Sequence, residues 1–207
     1  MRSPSAEKAP VRWGLHAFEP SDASGPEARP LWRSNVHPRV LGVDASDQRG
    51  RDTFDLEGLS AATTLVKSRD GREHLLISNG LYMIRSDVLA RSVANGPVEL
   101  RYRLAGLASV EPPLLTLRRL IALWRTGRFC RSLHPMEAKA RRWVLMLRAH
   151  DALVSGASRR AIAAELLGRS AAEPRWRIEE PTLHSRAQRL VRAARAAASG
   201  GFWNLLQ

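Results

Sequence analysis

The chain has 207 residues, 44% of them hydrophobic, enough for one or two domains with buried cores and too apolar for general disorder. Its one cysteine, Cys130, excludes an internal disulfide and a multi-cysteine metal site and suits a reducing cytoplasm. No apolar run approaches the ~20 residues a bilayer requires, and the N-terminus lacks the apolar core of a signal peptide, so a cytoplasmic protein with no membrane contact is expected.

The net charge of +13 is unevenly placed. Residues 1–117 carry 15 Lys/Arg against 14 Asp/Glu, whereas residues 118–207 carry 18 against 6. An Arg-rich composition explains arginine over lysine but not the loss of acids from one half. A folded basic surface beside a near-neutral domain is the footprint of a polyanion binder.

In chain order, residues 1–30 hold five prolines among Ser, Ala and Glu and read as a flexible arm, with Trp13 and Phe18 docking locally. The ordered chain is expected to begin near Leu31 and Trp32. Residues 31–112 read as a small β-rich domain, with a first short strand at 40–43. Asp44, Asp47, Asp52 and Asp55 follow, but their spacing departs from a calcium loop and arginines interrupt it, so a solvated loop is expected. The apolar runs at 62–67 and 73–78 flank an Asp-Gly turn and predict a hairpin. Further turns at Asn79-Gly80 and Asn95-Gly96 lead into strands at 81–84 and 98–104. Together these predict an antiparallel sheet with one wet face. His74 lies in this hairpin with no partner ligand near it in sequence, which favours a structural role.

After Pro112 and Pro113 the apolar period changes from two to about 3.6. Residues 113–207 therefore read as a helical domain. A first helix carries Leu117, Leu120, Ile121 and Trp124, and ends at Gly127. His134 and Pro135 are expected to open a second, with Ala140, Trp143, Val144, Leu147 and Ala149 or Leu153 as its apolar positions. Ser158 caps a third, and Gly168 stops it. The fourth starts at Pro181, and at ~100° per residue gathers Leu183, Ala187, Leu190, Val191 and Ala194 on one side. Its other side is basic, and no acid occurs after Glu180. An ordinary surface helix mixes signs to form i,i+4 pairs; this one repels itself until something negative arrives. Phe202, Trp203, Leu205 and Leu206 are expected to fold back onto the bundle.

The fold class is therefore α+β: a small antiparallel sheet followed by a four-helix bundle containing a helix-turn-helix. In that arrangement Ser185, Arg186 and Arg189 are the candidates for DNA base edges. Arg159, Arg160, Arg175, Arg192 and Arg195 are the candidates for phosphates, helped by the start of the Ser158 helix. The twelve residues from Arg169 to Glu180 exceed a tight turn of about 3–4 residues. They are read as a wing-like or capping insertion that packs Trp176 on the bundle, with Arg175 and Arg177 facing phosphate.

An enzyme is disfavoured. Tyr82 and Tyr102, the two tyrosines, fall in strands outside the basic half; the acids make no two-metal pair; and His150 and Asp151, being adjacent, should diverge on a helix. No cofactor or metal is expected.

Four segments carry a family resemblance: LRRLIALWRTGR at 117–128, ARRWVLMLRAHDAL at 140–153, GASRRAIAAELLG at 156–168, and RLVRAAR from 189 with GGF at 200–202. They resemble the RovC-like DNA-binding domain family, a proteobacterial family, over residues ~31–207, most strongly after Leu117. Members include a type VI secretion regulator and proteins of integrative and conjugative elements that activate excision genes or act as antiactivators. The resemblance implies sequence-specific transcriptional control. Double-stranded DNA is the expected partner, with a second copy, RNA polymerase or another transcription factor beside it. The alternative is an antiactivator that masks a transcription factor through its tail or β-domain and needs no DNA. A homodimer fits the small number of base pairs one helix reads, although no coiled-coil heptad supplies it.

Overall fold

The computed structural model describes residues 15–16, 29–47, 50–173 and 175–201, apart from the side chain of Arg177. Most of the expected arm, including Trp13 and Phe18, and the apolar tail from Phe202 onward lie outside these residues.

The chain divides between Pro135 and Met136 into two compact units. The first holds six strands, β1 (Val40–Ser46), β2 (Thr53–Phe54), β3 (Ala62–Lys67), β4 (Glu73–Ser78), β5 (Met83–Ala90) and β6 (Val98–Arg103), and one helix, α1 (Glu111–Thr126). The second holds α2 (Ala140–Val154), α3 (Arg159–Leu166), the one-turn α4 (Trp176–Glu179) and α5 (Pro181–Ala198). The α+β class is as read from the sequence.

The strands form one sheet in the order β2-β6-β1-β5-β4-β3. It is mixed rather than wholly antiparallel. β1 runs parallel to β5, with Leu41 opposite Ser86, while every other pair is antiparallel. The β3–β4 hairpin forms with Leu65 opposite Leu75, and its turn is closed by the Ser68 amide donating to the Arg72 carbonyl at 2.9 Å.

The wet face expected of the sheet is absent at its centre. All six residues of β4 are buried, as are Ile84 to Val88 of β5. On one face Leu75, Ile77, Ile84 and Val88 form a core with Leu41, Val43 and the α1 residues Leu120 and Leu123. α1 therefore lies on the sheet, packed against β1 and β5. The opposite face is covered by chain preceding β1: Leu31 is buried, and Arg85 Nε donates to the Trp32 carbonyl at 3.2 Å. A strand pattern with polar residues at every second position reads as half-wet, but here Glu73, His74, Arg85 and Asp87 are paired below the surface.

The second helix starts later than His134 and Pro135 imply. Residues 131–133 form a 3-10 turn, and α2 begins at Ala140. α2, α3 and α5 all contact one another. Met146, Ala149, Leu153, Ile162, Val191 and Ala194 share one core of this unit.

Candidate nucleic-acid interface

α5 is built from its apolar spacing. Leu183, Ala187, Val191 and Ala194 are buried, at offsets of three to four residues. Pro181 occupies the first turn, where its missing amide costs nothing. The helix ends where the Ser199 amide returns to the Arg195 carbonyl at 3.0 Å and Gly200 adopts φ 110°.

This burial turns the remaining side chains outward. Arg186, Arg189, Arg192 and Arg195 are exposed and Ser185 is half-buried. Among the described residues none of these four guanidinium groups has a hydrogen-bond or ion-pair partner. Among the described residues the pairs within this unit are Arg148 with Glu165 at 3.6 Å and His150 with Asp151 at 3.7 Å. The latter two side chains thus approach each other rather than diverge.

α3 sits against α5 through Ala163, buried in one cluster with Ala187 and Leu183. Its first turn is capped as expected: Ser158 Oγ accepts from the Ala161 amide at 3.2 Å. Arg159 and Arg160 follow immediately, both exposed. Gly168, with φ 148°, redirects the chain after α3, and its amide reaches the Ala163 carbonyl at 3.1 Å.

The segment from Arg169 to Glu180 is not an open loop. It holds a 3-10 turn at Arg169–Ala172 and then α4. Trp176 is 2% exposed and packs with Ala163, Ala171 and Leu183. Its ring meets His184 of α5 edge-on, with centroids 5.1 Å apart. Arg175, just before α4, is exposed. Arg177 belongs to the part of the proposal that lies outside the described side chains. Arg159, Arg160, Arg175 and the four α5 arginines are thus all exposed residues of the second unit.

The sheet unit holds a second polar cluster, which sequence spacing could not reveal. His74 is not without a partner. Its Nδ1 lies 2.6 Å from Asp87 Oδ1, and the same oxygen accepts from Arg85 Nη2 at 2.6 Å. The His16 ring stacks on His74 with centroids 3.4 Å apart. His16, His74 and Asp87 together have the composition of a metal set. Two features oppose that use. The Arg85 guanidinium occupies the space beside the carboxylate, and face-to-face imidazoles do not diverge as two ligands of one ion would. The cluster is a buried ion-paired network. Burial, then the neighbouring His74 and Arg85, lowers the His16 pKa to about 4, so His16 stacks as the neutral ring. Burial opposes ionisation of Asp87, but the hydrogen bond to His74 and the charge of Arg85 outweigh it and lower its pKa.

The family model for a type VI secretion transcription factor DNA-binding domain, RovC_DNA-bd, matches residues 111–207. The match supports a RovC-like DNA-binding domain over these residues, just under half of the chain. Among curated proteins none matches the chain significantly. The RovC match begins at Glu111, so it includes α1 as well as the whole second unit. The RovC-type region also contains every arginine assigned above to DNA.

Proposed function

We propose that the chain is a sequence-specific DNA-binding transcriptional regulator that reads a duplex with α3 and α5 as a helix-turn-helix. The supporting observation is the row Arg186, Arg189, Arg192 and Arg195, exposed and without a counter-charge among the described residues, in a region matched by the RovC DNA-binding family model. α5 enters the major groove. Ser185, Arg186 and Arg189 address base edges, while Arg159, Arg160, Arg175, Arg192 and Arg195 hold phosphates. α4 and Trp176 fix the angle between the two helices, in place of a tight turn. The family points away from an enzyme, and no helix among the described residues is long and apolar enough to cross a membrane. Regulation in the bacterial cytoplasm, on an integrative and conjugative element, follows from the same reading.

The test is a gel shift across ionic strength, with duplexes selected from random sequence. A protein that neutralises six or so phosphates loses about 10³-fold or more in affinity between 50 and 200 mM salt. A selected duplex bound about 10³-fold more tightly than random DNA supports base reading. Absence of duplex binding, with capture of a transcription factor instead, would support the antiactivator reading.

A further inference from the structure

One end of the sheet is made by the carboxyl ends of β1, β3 and β5 and the starts of β4 and β6. This follows because β1 and β5 run parallel while their other neighbours run against them. A cavity of about 600 Å³ lies at this end, with Lys67, Glu73, Arg91 and Ser92 in its wall. The carboxyl ends of parallel strands are where sheets leave room for small ligands.

The charges around this cavity are not matched within the protein. Glu73 is 3% exposed, and its carboxylate accepts from Ser92 Oγ at 2.6 Å and from the Val93 amide at 3.0 Å. Both donors are neutral, and among the described residues no cation pairs with it. A carboxylate taken out of water without a counter-charge is costly. Lys67 stands opposite Glu73 in the β3–β4 register, yet its ammonium makes no ion pair among the described residues. Arg91 has φ 59°, the one positive value of a non-glycine among the described residues. Its guanidinium pairs with Asp47, and both side chains are largely exposed. An exposed pair adds little stability, so it does not account for the strained backbone that presents Arg91.

We propose that this end of the sheet binds a small zwitterion, an α-amino acid, with its ammonium beside Glu73 and its carboxylate between Lys67 and Arg91. The ammonium supplies the counter-charge that Glu73 lacks. Ser92 Oγ and the Val93 amide already hold the Glu73 carboxylate, so little ordering is needed when the ligand arrives. Spacing selects the class of ligand. The side chains of cross-strand partners start about 5 Å apart, so the acidic and basic sites adjoin. An α-amino acid carries both charges on one carbon, whereas a longer ω-amino acid holds them farther apart. The buried Val98 also lines the cavity and offers apolar surface to the ligand's side chain. Binding here involves only the first unit and needs no DNA, so it stands or falls apart from the DNA reading.

The test is isothermal titration of the full chain with each common L-amino acid, and with the amine and the carboxylic acid that each becomes on losing one charged group. At least one amino acid is expected to bind. Its two half-ligands should bind on the order of tenfold more weakly or worse, each having lost a charge-assisted contact. Lys67→Met and Arg91→Gly should each weaken binding by a similar factor. Arg91→Gly should also raise the melting temperature, since glycine takes a positive φ without strain; an arginine of purely structural use would lower it when lost. Glu73→Gln keeps the side chain's shape and should abolish the preference for the amino acid over its carboxylic acid. The proposal is overturned if no amino acid binds, if the carboxylic acid binds as tightly as its amino acid, or if Lys67→Met and Arg91→Gly leave affinity unchanged.

Discussion

Ala163 of α3 and Ala187 of α5, both with no exposed surface, lie in one buried cluster at the contact between the two helices. The absence of larger side chains there lets the helices approach closely, and Trp176 closes the cluster from α4. The spacing of the α5 arginines from α3 follows from these two small residues.

Ala187→Leu is expected to overpack this contact and destabilise the second unit by roughly 1–3 kcal/mol. Denaturant unfolding followed by tryptophan fluorescence would measure it. An unchanged midpoint would mean that the two helices can separate freely, and that α3 does not set the position of α5.

Arg189→Ala and Arg159→Ala should differ in kind. The first is expected to lose about 1–3 kcal/mol on a selected duplex and little on random DNA, because a base-edge contact discriminates. The second should weaken both alike and reduce the salt slope by about 1. Equal losses on both duplexes from Arg189→Ala would remove it from the base-reading set.

Ser158→Ala removes the side-chain acceptor for the Ala161 amide and is expected to cost about 1 kcal/mol. Ser158→Asp retains an acceptor and should hold the wild-type stability. Thermal melting of the three proteins side by side decides it.

Acid should destabilise the sheet unit in two steps. His16 and His37 are each lowered from 6.5 to about 4, in both cases chiefly by burial. The unfolded chain therefore binds more protons than the folded one between these values, and stability falls as pH drops from 6.5 toward 4. Asp87, held below its ordinary range, contributes stability above about 3.8 that is lost on further acidification through its folded pKa. His16→Phe keeps a ring for the stack and should flatten part of the first step. A melting temperature as steep in pH for this variant as for wild type would show that the stacked pair is not the origin.

The readable features were local ones. A helix advertises its buried side within a dozen residues, so α5, its arginine row and the Ser158 cap could be placed from spacing alone. The β3–β4 hairpin was equally plain, because its turn and both strands are contiguous. The parallel partner of β1 was not, since alternation along a strand says which residues face together and not which strand lies beside it. The His16–His74–Asp87–Arg85 network escaped for the same reason: its members come from three separate segments and meet only when β4, β5 and the chain before β1 are assembled.

By itself, then, the sequence determined that an α+β chain concentrates its positive charge in helices, and that the last long helix leaves its arginines without neighbours of opposite sign along the chain. Periodicity and charge are properties of consecutive residues, and they survive without coordinates. Only the tertiary structure decided that α1 lies on the sheet, that the segment between α3 and α5 winds into short helical turns, and that both faces of β4 are dry. Those outcomes depend on which apolar surface finds which, a choice among distant segments that burial energy makes and that no stretch of sequence records.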